Sequence, residues 1–196
     1  MNVTAVVLAA GEASRMGEPK LLLEIGGTPM LTRVLGACAH LPRLVVASPS
    51  LRAFVDASGI RCIVNDRPEA GMAHSIALAD AVTEPERAIL VLLGDKPLVS
   101  RALVDAVLEG ARGMDICFPE HGGVGGHPVF FSARARERFA ELPMGDSLRT
   151  LRDDPALRRR TLPIDDIGAY ADVDDAEALE RVRLQAERGN PRRRSL

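Results

Sequence analysis

An alternation that runs through the first half of the chain limits what it can fold into. Short apolar runs trade places with helical patterns: a strand over Val3 to Ala9, a helix over Pro29 to His40, a strand over Arg43 to Ala47, a helix from Leu51, a strand over Ile60 to Val64, a helix over Met72 to Val82 and a strand over Ala88 to Leu93. Val3 to Leu8 is nearly all apolar and β-branched, as expected of a parallel strand covered on both faces. Repeated βαβ units need helices on both sides of a mostly parallel sheet, so the expected architecture is α/β, a three-layer α/β/α sandwich. Thr28-Pro29 suits an N-cap and first helical position, and Ser100 suits the cap of a helix ending near Gly110.

After Ile116-Cys117-Phe118 the rhythm changes. Pro119 to Pro128 is a glycine-rich turn followed by the strand-like Val129-Phe130-Phe131, which reads as a small hairpin insertion at the carboxyl side of the sheet. Two helical patterns, a strand near Thr161 to Ile164 and a helix from Ala176 complete the chain. With 196 residues and 46% hydrophobic content the chain suits one domain over residues 1–186, followed by a polar, disordered tail over 187–196.

Composition narrows the partners. A net charge of −2 leaves no global footprint for nucleic acid. Cys38, Cys62 and Cys117 are odd in number and have no C-x-x-C spacing, so they read as reduced, mostly buried thiols. The chain enters its first strand directly after Met1-Asn2, and no apolar run is long enough for a bilayer, which gives the expectation of a cytoplasmic protein with no membrane partner.

The chemistry concentrates where strands end, as it does in open α/β sheets. Leu8-Ala9-Ala10-Gly11-Glu12-Ala13-Ser14-Arg15-Met16-Gly17-Glu18-Pro19-Lys20 follows the first strand. Small residues admit an anion to the backbone N–H groups, Gly11 and Gly17 can adopt positive φ, Ser14 adds a hydroxyl, and Arg15 and Lys20 bring charge. It is neither G-x-x-x-x-G-K-[ST] nor G-x-G-x-x-G, so Walker-type ATPase and dinucleotide oxidoreductase readings lose their support. After the fourth strand, Gly94-Asp95-Lys96-Pro97 presents a carboxylate that suits Mg²⁺, although a β-turn aspartate explains it equally well when taken alone. Asp172-Val173-Asp174-Asp175-Ala176-Glu177 opens the last helix; Asp174 with Glu177 reads either as a capping box or, through Asp174, as a second metal ligand. Asn65 follows the third strand, and Gly71-Met72-Ala73-His74-Ser75 starts a helix whose free N–H groups can meet a nucleotide. His121 and His127 lack a third metal ligand and read as turn and pocket-rim residues. Gly145-Asp146-Ser147 reads as a loop and cap, or as a lid over an acceptor.

Taken together, these segments resemble the nucleotidyltransferases of molybdenum-cofactor maturation, most closely the CTP:molybdopterin cytidylyltransferase branch. The pattern LAAG-x-S-x-RMG-x-x-K is met by Leu8 to Lys20, G-D-x-P by Gly94 to Pro97, G-M-x-x-S by Gly71 to Ser75, G-H-P by Gly126 to Pro128, and D-x-D-x-x-E by Asp172 to Glu177. The resemblance implies a nucleotide-diphospho-sugar transferase-like, Rossmann-like fold. It implies base and phosphate contacts from Leu8, Ala9, Ala10 and Gly11, with Ser14, Gly17, Asn65, Gly71 and Ser75 around the nucleotide. Arg15 and Lys20 would hold the triphosphate, and Asp95 with Asp174 the Mg²⁺. The acceptor side would fall to Lys96, Pro97, Gly126, His127, Pro128 and Asp146. Lys96 stands where the branch often carries Gln, and the Asp146 loop lacks the branch's second glycine. Guanylyl-transferring relatives usually have Gly at the position of Ala10, whose methyl group leaves less space for a purine; this favours CTP.

The implied reaction transfers CMP from CTP to the terminal phosphate of molybdopterin, with a molybdoenzyme or chaperone as a transient partner for the product. Its rivals are GTP as donor, a sugar, lipid-precursor or choline phosphate as acceptor, and a nucleotide-binding adaptor without turnover.

Overall fold

The computed structural model describes residues 1–11, 19–142 and 148–188. Ten strands occur among them: β1 (Val3–Ala9), β2 (Glu24–Ile25), β3 (Thr28–Pro29), β4 (Arg43–Ala47), β5 (Arg61–Val64), β6 (Ala88–Leu93), β7 (Ile116–His121), β8 (Val124–Gly125), β9 (Val129–Phe131) and β10 (Arg159–Pro163). The helices are α1 (Met30–Ala37), α2 (Arg52–Ala57), α3 (Gly71–Asp80), α4 (Arg101–Gly110), α5 (Ala133–Arg136), α6 (Arg149–Arg152) and α7 (Ala176–Arg188). One sheet of eight strands runs in the order β10-β7-β9-β6-β1-β4-β5, with β8 beside β7. Neighbours pair in parallel except β9, antiparallel to both β6 and β7, and β8, antiparallel to β7.

The period of two in β1 sorts its side chains between two cores. Val3, Ala5 and Val7 pack with Met30, Leu31 and Val34 of α1, Val104 and Val107 of α4, and Leu179 and Val182 of α7. Val6 turns the other way, with Ile89, Val91 and Phe131 of the sheet, Ile76 and Ala79 of α3, and Leu151 of α6. Each of the larger of these side chains stabilises the fold by about 1.5–3 kcal/mol relative to exposure. The two cores are the outer layers' contacts with one sheet, so the architecture is the α/β/α sandwich the alternation predicts.

Three local expectations are corrected. Thr28-Pro29 does not cap a helix with its side chain: it forms β3, paired with β2 across Gly26 and Gly27 at φ 60° and 75°, and α1 starts at Met30 with no side-chain cap. The Gly-Gly pair was the hairpin signal, since both residues adopt positive φ without steric cost. Val129–Phe131 is the second arm of a hairpin with β7, but the pair is no small insertion: β9 enters the main sheet between β6 and β7, and β8 adds a two-residue pairing at the end of β7. Helix α7 continues to Arg188, past the boundary read at residue 186, because a charged sequence with Arg181–Glu177 and Arg183–Glu180 pairs sustains a solvated helix. Residues 189–196 lie outside the described residues.

The cysteines are free, Cys38 and Cys117 buried and Cys62 half-buried. Burial pushes the Cys38 and Cys117 thiols up to about 11, which keeps them protonated and unreactive. No helix among the described residues is long and apolar enough to cross a membrane.

Candidate active site at the carboxyl ends of the strands

From β1 the chain goes outward to β4 and β5 and then returns to β6 on the other flank of β1, so the strand order reverses beside β1. A crevice at the carboxyl ends of the strands is the expected consequence, and ligands of open α/β sheets bind there. The cavity found at that place has a volume of about 270 Å³. Leu8, Ala9, Ala10 and Gly11 form one wall, and Gly71, Met72 and Ser75 from the start of α3 form another. Lys20 and Asp95 stand at its polar edge. Gly94 lets the end of β6 close on β1: its N–H donates to the Leu8 carbonyl at 2.9 Å, and a Cβ there would meet the Leu21 side chain at 2.9 Å.

The charged centre joins three distant parts of the chain. Lys20 Nζ lies 3.3 Å from Asp95 Oδ2 and 3.1 Å from Asp174 Oδ1. Asp95 is delivered by β6. Asp174 is brought to it by its neighbour Val173, which is fully buried and donates its N–H to the Asp95 carbonyl at 3.2 Å. Helix α7 is capped by Asp175, whose carboxylate accepts from Ala178 N–H at 2.7 Å, so the capping role read for Asp174 belongs to its neighbour and Asp174 is left to face Lys20. Asp95 Oδ1 is buried and has no hydrogen-bond partner among the described residues. A carboxylate oxygen held this way costs free energy until a cation or donor meets it.

Other expected site residues divide. Ser75 and Gly71 reach the cavity, Gly71 at φ 79° where its backbone turns into α3. Asn65 does not line it: fully buried, it donates to Ser75 Oγ at 2.9 Å and accepts from Arg67 N–H at 2.8 Å, so it orients Ser75 from behind. Lys96 is buried rather than offered to an acceptor. Its ammonium donates to the Tyr170 carbonyl at 2.7 Å and stands 3.8 Å from Asp172. The Pro97 carbonyl accepts from Arg33 at 3.0 Å. Gly126 packs under Ala169 and Tyr170, where a Cβ would clash, and His127 N–H donates to the Ala169 carbonyl at 2.9 Å. Lys96, His127 and Pro128 surround a gap with no room for a water. Burial and the Lys96 charge push the His127 imidazole down to about 3, so it is neutral, and its Nδ1 is buried without a partner among the described residues. Ser14, Arg15, Gly17 and Asp146 lie outside the described residues.

Ser48 and Ser50 also line the cavity. They follow β4 as Asn65 follows β5, so inspecting the end of every strand would have selected them.

A switch-point cavity walled by a small-residue loop, with a lysine between two carboxylates at its edge, suits a nucleotidyltransferase domain. The model of the MobA-like NTP transferase domain matches residues 5–160, and the chain belongs to that family. Among curated relatives, the chain is 39% identical over 104 residues to "Bifunctional protein GlmU" of Acidiphilium cryptum, covering 51% of this chain and 24% of that protein. It is 30% identical over 126 residues to "Probable molybdenum cofactor guanylyltransferase" of Pelotomaculum thermopropionicum, covering 62% of this chain and 59% of that protein. The match thus spans about a quarter of the first relative and under two thirds of the second. The crystal structure of Rv0371c from Mycobacterium tuberculosis H37Rv superposes with a TM-score of 0.81 at 26% identity, covering 93% of this chain and 97% of that one.

Proposed function

We propose that this protein transfers CMP from CTP to the terminal phosphate of molybdopterin and releases pyrophosphate, acting in the cytoplasm. The observation that carries the reading is the Lys20 ammonium held between Asp95 and Asp174 at the edge of the switch-point cavity. The donor nucleotide would lie along Leu8 to Gly11 with its base against Ala10 and the start of α3. Its phosphates would be directed to Lys20 and to the loop carrying Ser14, Arg15 and Gly17. An oxygen of the acceptor phosphate attacks the α-phosphorus in line, and the bond to the pyrophosphate oxygen breaks with its electron pair. Lys20 offsets negative charge growing on the leaving group. An ionised phosphate oxygen needs little help from a general base, which fits a cavity whose described residues offer no nucleophile–base pair.

The residues fit a divalent cation. Asp95 and Asp174 converge, and Asp95 Oδ1 is an orphaned buried acceptor. Mg²⁺ is commonly held by one or two carboxylates, with water and substrate phosphates completing the shell. When bound by Asp95 and Asp174 it would supply charge neutralisation to the phosphates. Lys20, relieved of the two carboxylates, would then serve the triphosphate.

A second donor, GTP, is favoured by the name of the Pelotomaculum relative. Purified protein with Mg²⁺, each NTP in turn and molybdopterin present or absent tests both. CTP-dependent, acceptor-dependent pyrophosphate release is the expected result; preference for GTP or for a sugar phosphate overturns the corresponding half of the proposal.

A further inference from the structure

The two partly or fully buried guanidinium groups on α5 and α6 are treated differently by the protein. Arg136 is 6% exposed and fully paired: it donates to Asp80 Oδ1 at 2.7 Å and to the carbonyls of Glu84 and Arg87 at 2.6 Å each. Arg152, half-buried on α6, lies over the ring of Phe118 at 4.9 Å from its centroid. Its Nη1 approaches the main chain of β8 so closely that a Cβ on Gly125 would overlap it. Among the described residues no side-chain or carbonyl oxygen pairs with that guanidinium. The adjacent carboxylate of Asp153 pairs with Arg159 at 3.0 Å, and Asp153 and Glu120 both act on Arg152 through space without a hydrogen bond. Burial, with Arg149 nearby, lowers the Arg152 pKa from its usual range. A half-buried cation with no hydrogen-bonded counter-ion among the described residues is costly, and a guanidinium with its face on an aromatic ring keeps its N–H edges for an oxyanion.

Its place in the sheet says which anion. The donor cavity lies over the ends of β1, β4 and β6. Phe118 and Gly125 belong to β7 and β8, beyond β9 on the other flank of β6. The Arg152 charge is felt by His127, which adjoins Lys96, next in the chain to Asp95. An anion on Arg152 would stand on the β7–β8 flank of Asp95, opposite the flank that holds the cavity.

We propose that Arg152, seated on Phe118, binds the phosphate monoester group of the acceptor. This rests on the transferase reading. The alternative source of the same chemistry is the donor triphosphate, and the test separates the two. Isotopically labelled protein carrying Mg²⁺ and a non-hydrolysable CTP analogue is titrated with phenyl phosphate, a minimal monoester, while the Arg152 Nε resonance and the binding heat are followed. The expected result is a saturable shift of that resonance, a loss of monoester affinity of roughly tenfold or more in Arg152→Gln, partial recovery in Arg152→Lys, and unchanged affinity for the nucleotide analogue. A resonance that does not move with phenyl phosphate in the unmodified protein overturns the proposal, whether or not the Gln variant folds. So does a loss of nucleotide affinity in place of monoester affinity. Monoester binding at Arg152 without CTP-dependent turnover of molybdopterin would refute the transfer reading while leaving the anion site standing.

Discussion

Asp174 is held to Lys20 at 3.1 Å although 154 positions separate them in the chain. The ammonium offsets repulsion between two carboxylates, and the same contacts keep the carboxylates together for a cation. Lys20→Ala is expected to lower turnover by about 100-fold or more and, by leaving two carboxylates unopposed, to lower the melting temperature modestly, since the pairs are partly exposed. Steady-state pyrophosphate release checks this, and near-normal turnover would refute the role.

Asp174 is 69% exposed on its side chain and does not cap α7, so Asp174→Asn removes a charge without removing structure. The Mg²⁺ concentration for half-maximal activity is expected to rise roughly 10-fold or more, with the two-carboxylate arrangement reduced to one. A magnesium titration of both proteins measures it. An unshifted midpoint would mean that Asp174 holds no metal.

Much of this arrangement is legible in the sequence because it depends on local signals. β1, β4 and β6 occupy the expected spans, since buried parallel strands announce themselves as continuous apolar runs, and Ser100 caps α4 by accepting from Leu103 N–H at 3.1 Å. What the sequence hides is where a polar side chain spends its hydrogen bonds. Lys96 and Asn65 sit where ligand contacts belong, yet tertiary packing turns one to the Tyr170 carbonyl and the other to Ser75. Arg152 gives no signal at all in one dimension, because its distinction is that no oxygen among the described residues pairs with it.

Ala10 is 5% exposed and forms part of the cavity wall. One methyl group against a base is worth about 1–3 kcal/mol of discrimination. Ala10→Gly is therefore expected to shift the CTP:GTP ratio of kcat/KM towards GTP by roughly tenfold or more. Competition assays with both nucleotides read the ratio directly, and no change would remove Ala10 from the specificity argument.

Lys96 ties the Tyr170 carbonyl at 2.7 Å, a few residues before the Val173 N–H that bonds the Asp95 carbonyl. Lys96→Met keeps the length of the side chain and removes the donor. Loss of a charged hydrogen bond worth about 1.5–3 kcal/mol is partly offset by relief of a buried ammonium, so global stability should change by less than about 2 kcal/mol. The segment 169–174 should nonetheless exchange its amide hydrogens faster, and Lys96→Gln, which still donates to Tyr170, should exchange at close to the original rate. Hydrogen-exchange mass spectrometry distinguishes these outcomes, and equal protection in all three proteins would show that Lys96 does not anchor the segment.

Asp115 joins the start of β7 to α5 and β10. Its buried carboxylate accepts from Ser132 Oγ at 3.2 Å, Arg134 at 3.2 Å, Arg158 N–H at 2.9 Å and Arg158 Nε at 3.2 Å. Burial alone would raise its pKa, and the hydrogen bonds and charge of Arg158 outweigh burial, holding the carboxyl below its usual range. A group with a depressed native pKa contributes stability that is present above its unfolded value, about 3.9, and is lost as pH falls through the native value. Asp115→Asn is expected to cost about 2 kcal/mol at pH 7, where the charge-assisted bonds are lost, and correspondingly less at pH 3 and below. Denaturant midpoints of the two proteins at pH 7 and pH 3 supply the comparison; a penalty that does not shrink on acidification would show that the ionised form of Asp115 is not what holds these elements together.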